Sequence, residues 1–197
     1  MKFHLFILPF LLFACAGTEQ ENNAEQEETN LDKNDEPTFT GYLSKIPDEK
    51  LPFEIDCSTP FFKFDISYKV YEKYIPEGGS TYSKLITEAG HNLVVYTFAG
   101  DIINPILYSY DSNGQVIDSL WLYNGSCNGD PWLESSCHTI VREDLTIEMH
   151  DTIQHYFFND TIRRLDSTSL ETELYKVNEE GKFAFVSKNT VLLGVEN

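Results

Sequence analysis

The feature that most constrains the fold is an alternation of apolar and polar residues with a period of two. Aromatic and aliphatic residues occupy every second position from Phe62 to Val70, and lysine, aspartate or serine stands between them. Successive side chains of a β-strand point to opposite faces, so this pattern predicts a strand with one buried face. A helical interpretation of the stretch stays open, and residues 71–74 are also compatible with a helical turn before Pro76.

Short apolar runs separated by turn residues continue along the rest of the chain. Residues 93–98 are apolar almost throughout, which predicts a central strand, and a polar turn ending in Gly114 predicts a hairpin between 103–110 and 115–123. Further strands are predicted at 138–142, 146–158, 161–165, 170–177 and 182–187. We therefore expect an all-β domain of roughly eight to ten antiparallel strands, arranged as a meander, a sandwich or a barrel.

The N-terminus has the pattern of an export signal. Lys2 precedes an apolar run over residues 5–13 that only Pro9 interrupts. This run is shorter than the roughly 20 residues that a membrane-spanning helix requires, so it predicts a signal peptide instead.

The end of the apolar run resembles the lipobox of bacterial lipoproteins. Leu12-Phe13-Ala14-Cys15 has an aliphatic residue three positions before the cysteine and a small residue directly before it. The resemblance implies cleavage after residue 14 and acylation of Cys15, with palmitate-type chains that anchor the protein to a membrane. An ordinary secretory signal that contains a cysteine is the alternative.

The residues after Cys15 are acidic and almost without apolar side chains. Residues 16–37 contain eight acids and one base, Lys33, which predicts a disordered, self-repelling tether. An acidic segment at this position resembles the surface-export signal of Bacteroidota lipoproteins, although an inert spacer would have the same composition. The expected organisation is a signal peptide at 1–14, the lipidated cysteine and tether at 15–37, and a β-rich domain at 38–197. The implied location is the outer membrane of the cell envelope, facing outward or the periplasm.

The charge of the domain excludes one class of partner. The whole chain has a net charge of −18, and without Lys2 and the tether 24 acids face 12 bases, a net charge of −12. Such a surface repels nucleic acid, so we expect no nucleic-acid partner. A glycan, or a neutral or cationic envelope protein, is the expected partner besides the membrane.

Three cysteines remain once Cys15 carries lipid. An exported domain permits disulfides, and the shortest loop joins Cys127 to Cys137, so this is the predicted bridge. Cys57 would then be a buried free thiol, or it pairs with one of the other two.

Several polar clusters are candidates for metal or catalytic sites. His150 and Glu148 are two positions apart and share a strand face, whereas His155 is at an odd spacing and faces the other side. Motifs of known hydrolases and phosphate-binding loops are absent from the sequence. We predict no catalytic residues, no metal and no cofactor. The other residues that could supply an oxygen or nitrogen ligand to a metal are Asp111, Asn113, Asp118, Asn128, Asp130, His138, Asp151 and Asp160.

Two tryptophans are the predicted binding residues. Trp132 lies in the loop between Cys127 and Cys137, and Trp121 lies on a predicted strand. An indole at a rigid loop can stack on a sugar or enter a partner's pocket, and an indole folded over its own sheet is the alternative. The sequence thus resembles Bacteroidota lipoproteins of unknown function and predicts a non-catalytic binding or structural role. The alternatives are a surface glycan-binding accessory lipoprotein and an acidic inhibitor or partner of a cationic envelope enzyme.

Overall fold

The architecture was taken from a computed structural model that describes residues 37–61, 69–87, 90–123, 125, 127–159 and 161–195. The predicted signal peptide, Cys15 and nearly all of the tether lie outside these residues. The helical elements are a short α-helix, α1 (Phe39–Leu43), and a 3-10 helix (Lys69–Tyr74). The strands are β1 (Asp48–Glu49), β2 (Phe53–Asp56), β3 (Gly79–Leu85), β4 (Asn92–Ala99), β5 (Ile103–Tyr110), β6 (Val116–Trp121), β7 (Leu133–Val141), β8 (Thr146–Asn159), β9 (Ile162–Val177) and β10 (Phe183–Val195).

The ten described strands form two five-stranded sheets. The first sheet has the order β1-β3-β4-β5-β6 and the second has the order β10-β9-β8-β7-β2. Apart from the parallel β1–β3 pair, the strand pairs are antiparallel. Neither sheet closes into a barrel within the described residues. The predicted all-β class is confirmed, and of the three arrangements expected the structure has the sandwich.

The hairpin turns form where the sequence places them. Between β5 and β6, the N–H of Asp111 donates to the carbonyl oxygen of Gln115 at 2.9 Å. Gly114 in this turn has a φ of +83°, a conformation that costs an L-residue about 1–2 kcal/mol. Residues 93–98 lie within β4, the middle strand of the first sheet, as predicted.

Several predicted strand bounds are wrong. β7 begins at Leu133 rather than at residue 138, and β10 extends to Val195 rather than ending at residue 187. The prediction over Phe62 to Val70 falls largely on residues that the structure does not describe, and Val70 itself belongs to the 3-10 helix, which includes the helical turn expected at 71–74. The strands predicted at 161–165 and 170–177 are one continuous strand, β9. The register shifts between His155 and Tyr156, so a bulge at Asp166 accommodates the polar interruption without ending the strand.

The core between the sheets is built from the inward faces of the strands. Its members include Leu93, Val95 and Leu107 from the first sheet and Val141 and Ile147 from the second. Each is almost fully buried, and burial of such a side chain contributes about 1.5–3 kcal/mol. The hydrophobic effect therefore fixes which face of β7 and β8 points outward, and that outward face carries the site described below.

A second cluster covers the other face of the first sheet. Phe39 and Tyr42 of α1 pack with Tyr71 of the 3-10 helix onto Val94 and Tyr96. The hydroxyl of Tyr42 lies 2.7 Å from that of Tyr96, which in turn donates to the carbonyl oxygen of Tyr74 at 3.1 Å. Buried tyrosine hydroxyls require partners of this kind. The helical segments thus close the outer side of the first sheet.

Candidate binding cleft beside Trp132

Trp132 is presented by a turn that Asp130 organises. One oxygen of the Asp130 carboxylate accepts hydrogen bonds from the backbone N–H groups of Trp132 and Leu133, both at 2.7 Å. The carbonyl oxygen of Trp132 then accepts from the N–H of Tyr156 on β8 at 2.7 Å. An aspartate that bonds the backbone two and three residues ahead is a standard turn-forming arrangement. The backbone of Trp132 is therefore fixed to β8 of the second sheet.

The indole of Trp132 remains largely in solvent. Its ring meets the ring of Phe158 edge to face, with 5.8 Å between centroids, and 57% of the residue is exposed. Edge-to-face contact holds an aromatic ring in one orientation while leaving a ring face available. The indole thus contacts one side chain of its own sheet, Phe158 of β8, and keeps much of its surface in solvent.

A polar network lies next to this aromatic pair. The guanidinium of Arg163 donates to Glu134 at 2.8 Å and stacks over the ring of Tyr156, 3.6 Å from its centroid. The hydroxyl of Tyr156 donates to the second oxygen of Glu134 at 2.9 Å and lies 3.1 Å from Gln154. Hydrogen bonds from Arg163 and then Tyr156 hold the pKa of Glu134 below its ordinary value. Glu134 is thus ionised at neutral pH, and Arg163 balances its charge.

The loop before β7 and the second sheet together line an open cleft. Its volume is about 810 Å³, within the range of roughly 300–1,000 Å³ that is common for ligand sites. Trp132 is not itself a lining residue, but it follows Pro131 and contacts the ring of Phe158, and both of these residues line the cleft. The lining residues are Cys127, Asn128, Gly129, Asp130, Pro131, Glu134, Ser135, Ser136, Thr152, Gln154, Phe158 and Arg163. Hydroxyl, amide and carboxylate groups beside an exposed aromatic ring suit a ligand that has both polar groups and an apolar face.

The second predicted binding residue lies elsewhere. Trp121 is the last residue of β6, the edge strand of the first sheet, and it pairs with Ile106 across the ladder. It is 55% exposed, nearly as much as Trp132, but does not line the cleft. Of the two tryptophans, Trp132 contacts a lining residue of the cleft, Phe158, whereas Trp121 lies exposed on the edge strand of the first sheet.

The predicted pairing of Cys127 with Cys137 is corrected by the structure. Cys127 is joined to Cys57, with 5.3 Å between the Cα atoms, and Cys137 is a free, buried thiol. The reason is tertiary, since Cys57 follows β2, and β2 pairs with β7 so that Asp56 lies opposite His138. Burial, followed by the charge of Asp151, raises the pKa of Cys137 to about 11, so this thiol is protonated at neutral pH.

The histidines form a cross-strand pair on the outer face of the second sheet. His138 lies opposite His150, with 6.2 Å between ring centroids, and His150 shares its face with Glu148 at 3.4 Å, as predicted. In the described part of the chain, these groups do not meet the spacing that a metal ion requires. The group that does is formed by the three cysteines, whose sulfur atoms lie within 4.8 Å of one another.

Two of the candidate calcium ligands, Asp111 and Asp118, accept hydrogen bonds from the backbone. Asp111 accepts hydrogen bonds from the N–H groups of Asn113 and Gln115, both at 2.8 Å. Asp118 accepts from the N–H of Ser119 at 2.8 Å and from that of Phe183 at 2.9 Å. These carboxylates stabilise the β5–β6 turn and the contact between β6 and β10.

Sequence reasoning identified Trp132 but missed the residues that surround it. Gln154, Tyr156 and Phe158 alternate along β8, and this period of two is the signal that would have placed them on one face. Nothing local indicated that Arg163 of β9 and Glu134 of β7 meet on that face, because their pairing depends on the register of three strands.

Comparison with known proteins adds no family. No protein-family model, no curated protein sequence and no solved structure matches this chain. Among the described residues there is no helix of the length and apolar character needed to cross a membrane.

Proposed function

We propose that this chain is a lipid-anchored binding domain of the bacterial cell envelope, which holds a neutral glycan in the cleft beside Trp132 and does not transform it. The observation that carries the proposal is an exposed indole, fixed at its backbone, next to a cleft lined by polar groups. A pyranose ring has an apolar C–H face that stacks on an aromatic ring and hydroxyl groups that bond to amides and carboxylates. The cleft offers both kinds of group.

The charges of the cleft favour a neutral ligand. Glu134 and Arg163 form an ion pair that is itself part of the lining, so an ionic ligand would have to compete with an existing partner. Hydroxyl groups can bond to these side chains without separating them. The anchor in this proposal is Cys15, acylated after removal of residues 1–14, with the acidic tether as the spacer between the membrane and the domain.

Binding is tested by affinity electrophoresis of the full chain in gels that contain a panel of neutral polysaccharides. The Trp132→Ala variant is expected to lose at least tenfold in affinity, which corresponds to about 1.4 kcal/mol. Trp121→Ala is the matched control, since its indole is equally exposed but lies away from the cleft. The proposal fails if the unmodified chain binds nothing on the panel, or if both variants lose affinity equally.

The anchor is tested separately. Cys15→Ala is expected to shift the protein from the membrane fraction to the soluble fraction and to abolish incorporation of labelled palmitate. Equal membrane association of the two proteins would contradict lipid attachment at this residue and would leave the glycan test unaffected.

A cationic envelope protein is the second candidate partner. From residue 38 onward the chain has 24 acids and 12 bases, and this negative charge favours a cationic partner. Capture of a basic partner at low salt, and its release at high salt, would support this candidate. Capture that does not depend on salt would argue against an electrostatic partner.

A further inference from the structure

The three cysteines of the domain meet at one point, although they come from three separate segments. Cys57 lies in the turn after β2, Cys127 lies in the loop before β7, and Cys137 lies within β7. Their sulfur atoms are within 4.8 Å of one another, and one pair is bonded. A free thiol at this distance from a disulfide is a potential nucleophile toward it.

The backbone already holds Cys127 and Cys137 as neighbours. The loop before β7 folds back as a ladder, in which Gly129 pairs with Glu134 and the N–H of Ser135 donates to the carbonyl oxygen of Asn128 at 3.2 Å. This fold-back brings Cys127 close to β7, and the sulfur atoms of Cys127 and Cys137 lie within 4.8 Å of each other. A bond between them would thus require local movement of the loop that carries Cys127 rather than a rearrangement of strands.

The environments of the sulfur atoms differ in a way that favours one leaving group. The backbone N–H of Cys137 donates to the sulfur of Cys57 at 3.1 Å, and a hydrogen bond to sulfur stabilises the thiolate form. The sulfur of Cys137 in turn lies 3.8 Å from a carboxylate oxygen of Asp151, to which it donates. Asp151 can accept the proton of the attacking thiol, and Cys57 can carry the charge of the departing one.

The solvent exposure of the cysteines also favours Cys57 as the thiol that is released. Cys137 is 1% exposed, whereas Cys57 is an exposed residue. In the observed pairing the free thiol is shielded from external reagents. In a Cys127–Cys137 pairing the free thiol would stand at the surface.

We propose that the three sulfur atoms form a thiol–disulfide exchange site, in which Cys137 attacks Cys127 and releases Cys57 as an exposed thiol open to modification. The bond between Cys57 and Cys127 breaks as the bond between Cys127 and Cys137 forms. The proton of Cys137 passes to Asp151 and then to the Cys57 thiolate, so the exchange needs no external oxidant or reductant. The exposed Cys57 thiol then reacts with an external low-molecular-weight disulfide, forming a mixed disulfide and releasing one equivalent of thiol. This inference does not depend on the proposed glycan binding.

Native alkylation with peptide mapping tests the exchange. The folded full chain is treated with iodoacetamide at pH 7 and at pH 9, and non-reduced digests are mapped, so that Cys15 is scored on its own peptide. We expect label on Cys57 together with the cross-linked Cys127–Cys137 peptide, and faster labelling at pH 9, because burial raises the pKa of the attacking thiol to about 11. Label on Cys137 beside an intact Cys57–Cys127 bridge, or no label on any of the three, would overturn the proposal.

Two variants separate exchange from simple opening of the structure. Cys137→Ser removes the nucleophile, so labelling of Cys57 should fall at least tenfold, and unchanged labelling would refute the mechanism. Cys57→Ser tests the alternative bridge directly: the folded variant is incubated with oxidised glutathione, which accepts the two electrons, and its non-reduced digest should then contain the Cys127–Cys137 peptide. Two free thiols in the folded Cys57→Ser protein, with folding checked by circular dichroism, would show that this bridge is inaccessible.

Discussion

Replacing Cys57 with serine should cost the domain less stability than the loss of its disulfide implies. The bridge joins residues 70 positions apart, and the chain-entropy relation gives about 4.4 kcal/mol for a loop of that length. If Cys137 takes the place of Cys57, the new bridge closes a loop of roughly ten residues and returns about 2.7 kcal/mol. The expected net loss for Cys57→Ser is therefore about 1.7 kcal/mol.

A double-mutant cycle isolates the contribution of the alternative bridge. Wild type, Cys57→Ser, Cys137→Ser and the double variant are unfolded in urea without reductant and followed by circular dichroism and tryptophan fluorescence. Cys137→Ser alone reports the cost of placing a hydroxyl at a buried position while the native bridge remains. The same substitution in the Cys57→Ser background should cost about 2.7 kcal/mol more, because it also removes the alternative bridge.

The control for this cycle is the same series in the presence of a phosphine reductant. With every disulfide reduced, no bridge can couple the two substitutions. The coupling energy should then fall to about 0.5 kcal/mol, apart from the direct contact between the two neighbouring side chains. A coupling energy near zero without reductant would falsify the reasoning, since it would mean that Cys137 does not replace Cys57.

Three further predictions concern the fold and its pH dependence. Leu107→Ala, in the core between the sheets, should lower the free energy of unfolding by about 2–5 kcal/mol. Leu192→Ala, at a residue that is 62% exposed, should change it by about 0.5 kcal/mol or less. Equal effects of the two variants in urea titrations would contradict the assignment of Leu107 to the core. Desolvation raises the pKa of Asp151 above the ordinary value of 3.8, so the protonated acid stabilises the fold at lower pH and this contribution is lost as the pH rises through the folded-state pKa. Asp151→Asn should therefore gain stability relative to wild type as the pH rises toward neutral, and a constant difference between the two proteins across pH would contradict this. Gly114→Ala should lower the stability in thermal unfolding more than Gly78→Ala does. Both residues have a positive φ, but only the added Cβ at Gly114 would meet aromatic rings at 2.7 Å. Equal losses would show that backbone strain alone accounts for the effect.

The sequence predicted the strands of this domain well and their ends less well. Alternation and turn residues located β4, β5, β6 and β8, because side-chain period and turn chemistry are local properties. The same reasoning divided β9 at its polar centre, where a bulge and the pairing with β8 maintain the strand. Residues 39–43 were not predicted as a helix, since α1 is only five residues long and is stabilised by packing onto the first sheet.

The candidate cleft was predictable only in part. The sequence singled out Trp132 because it lies in the loop between Cys127 and Cys137, although the bridge expected to close that loop is not formed. Arg163 and Glu134 could not, because they are 29 positions apart and meet only through the register of three strands. The cysteine pairing failed for the same reason, since loop length alone favours the nearest partner.

The sequence by itself determined the strand period, the hairpin turns, the acidic charge and the lipobox-like start, because each depends on neighbouring residues or on composition. Only the tertiary structure decided which sheet each strand joins, that Trp132 rather than Trp121 borders a cleft, and that Cys57 reaches Cys127 while Cys137 remains a thiol beside them. Contacts between distant segments follow from strand order and register, and these are set by how the two hydrophobic faces pack together.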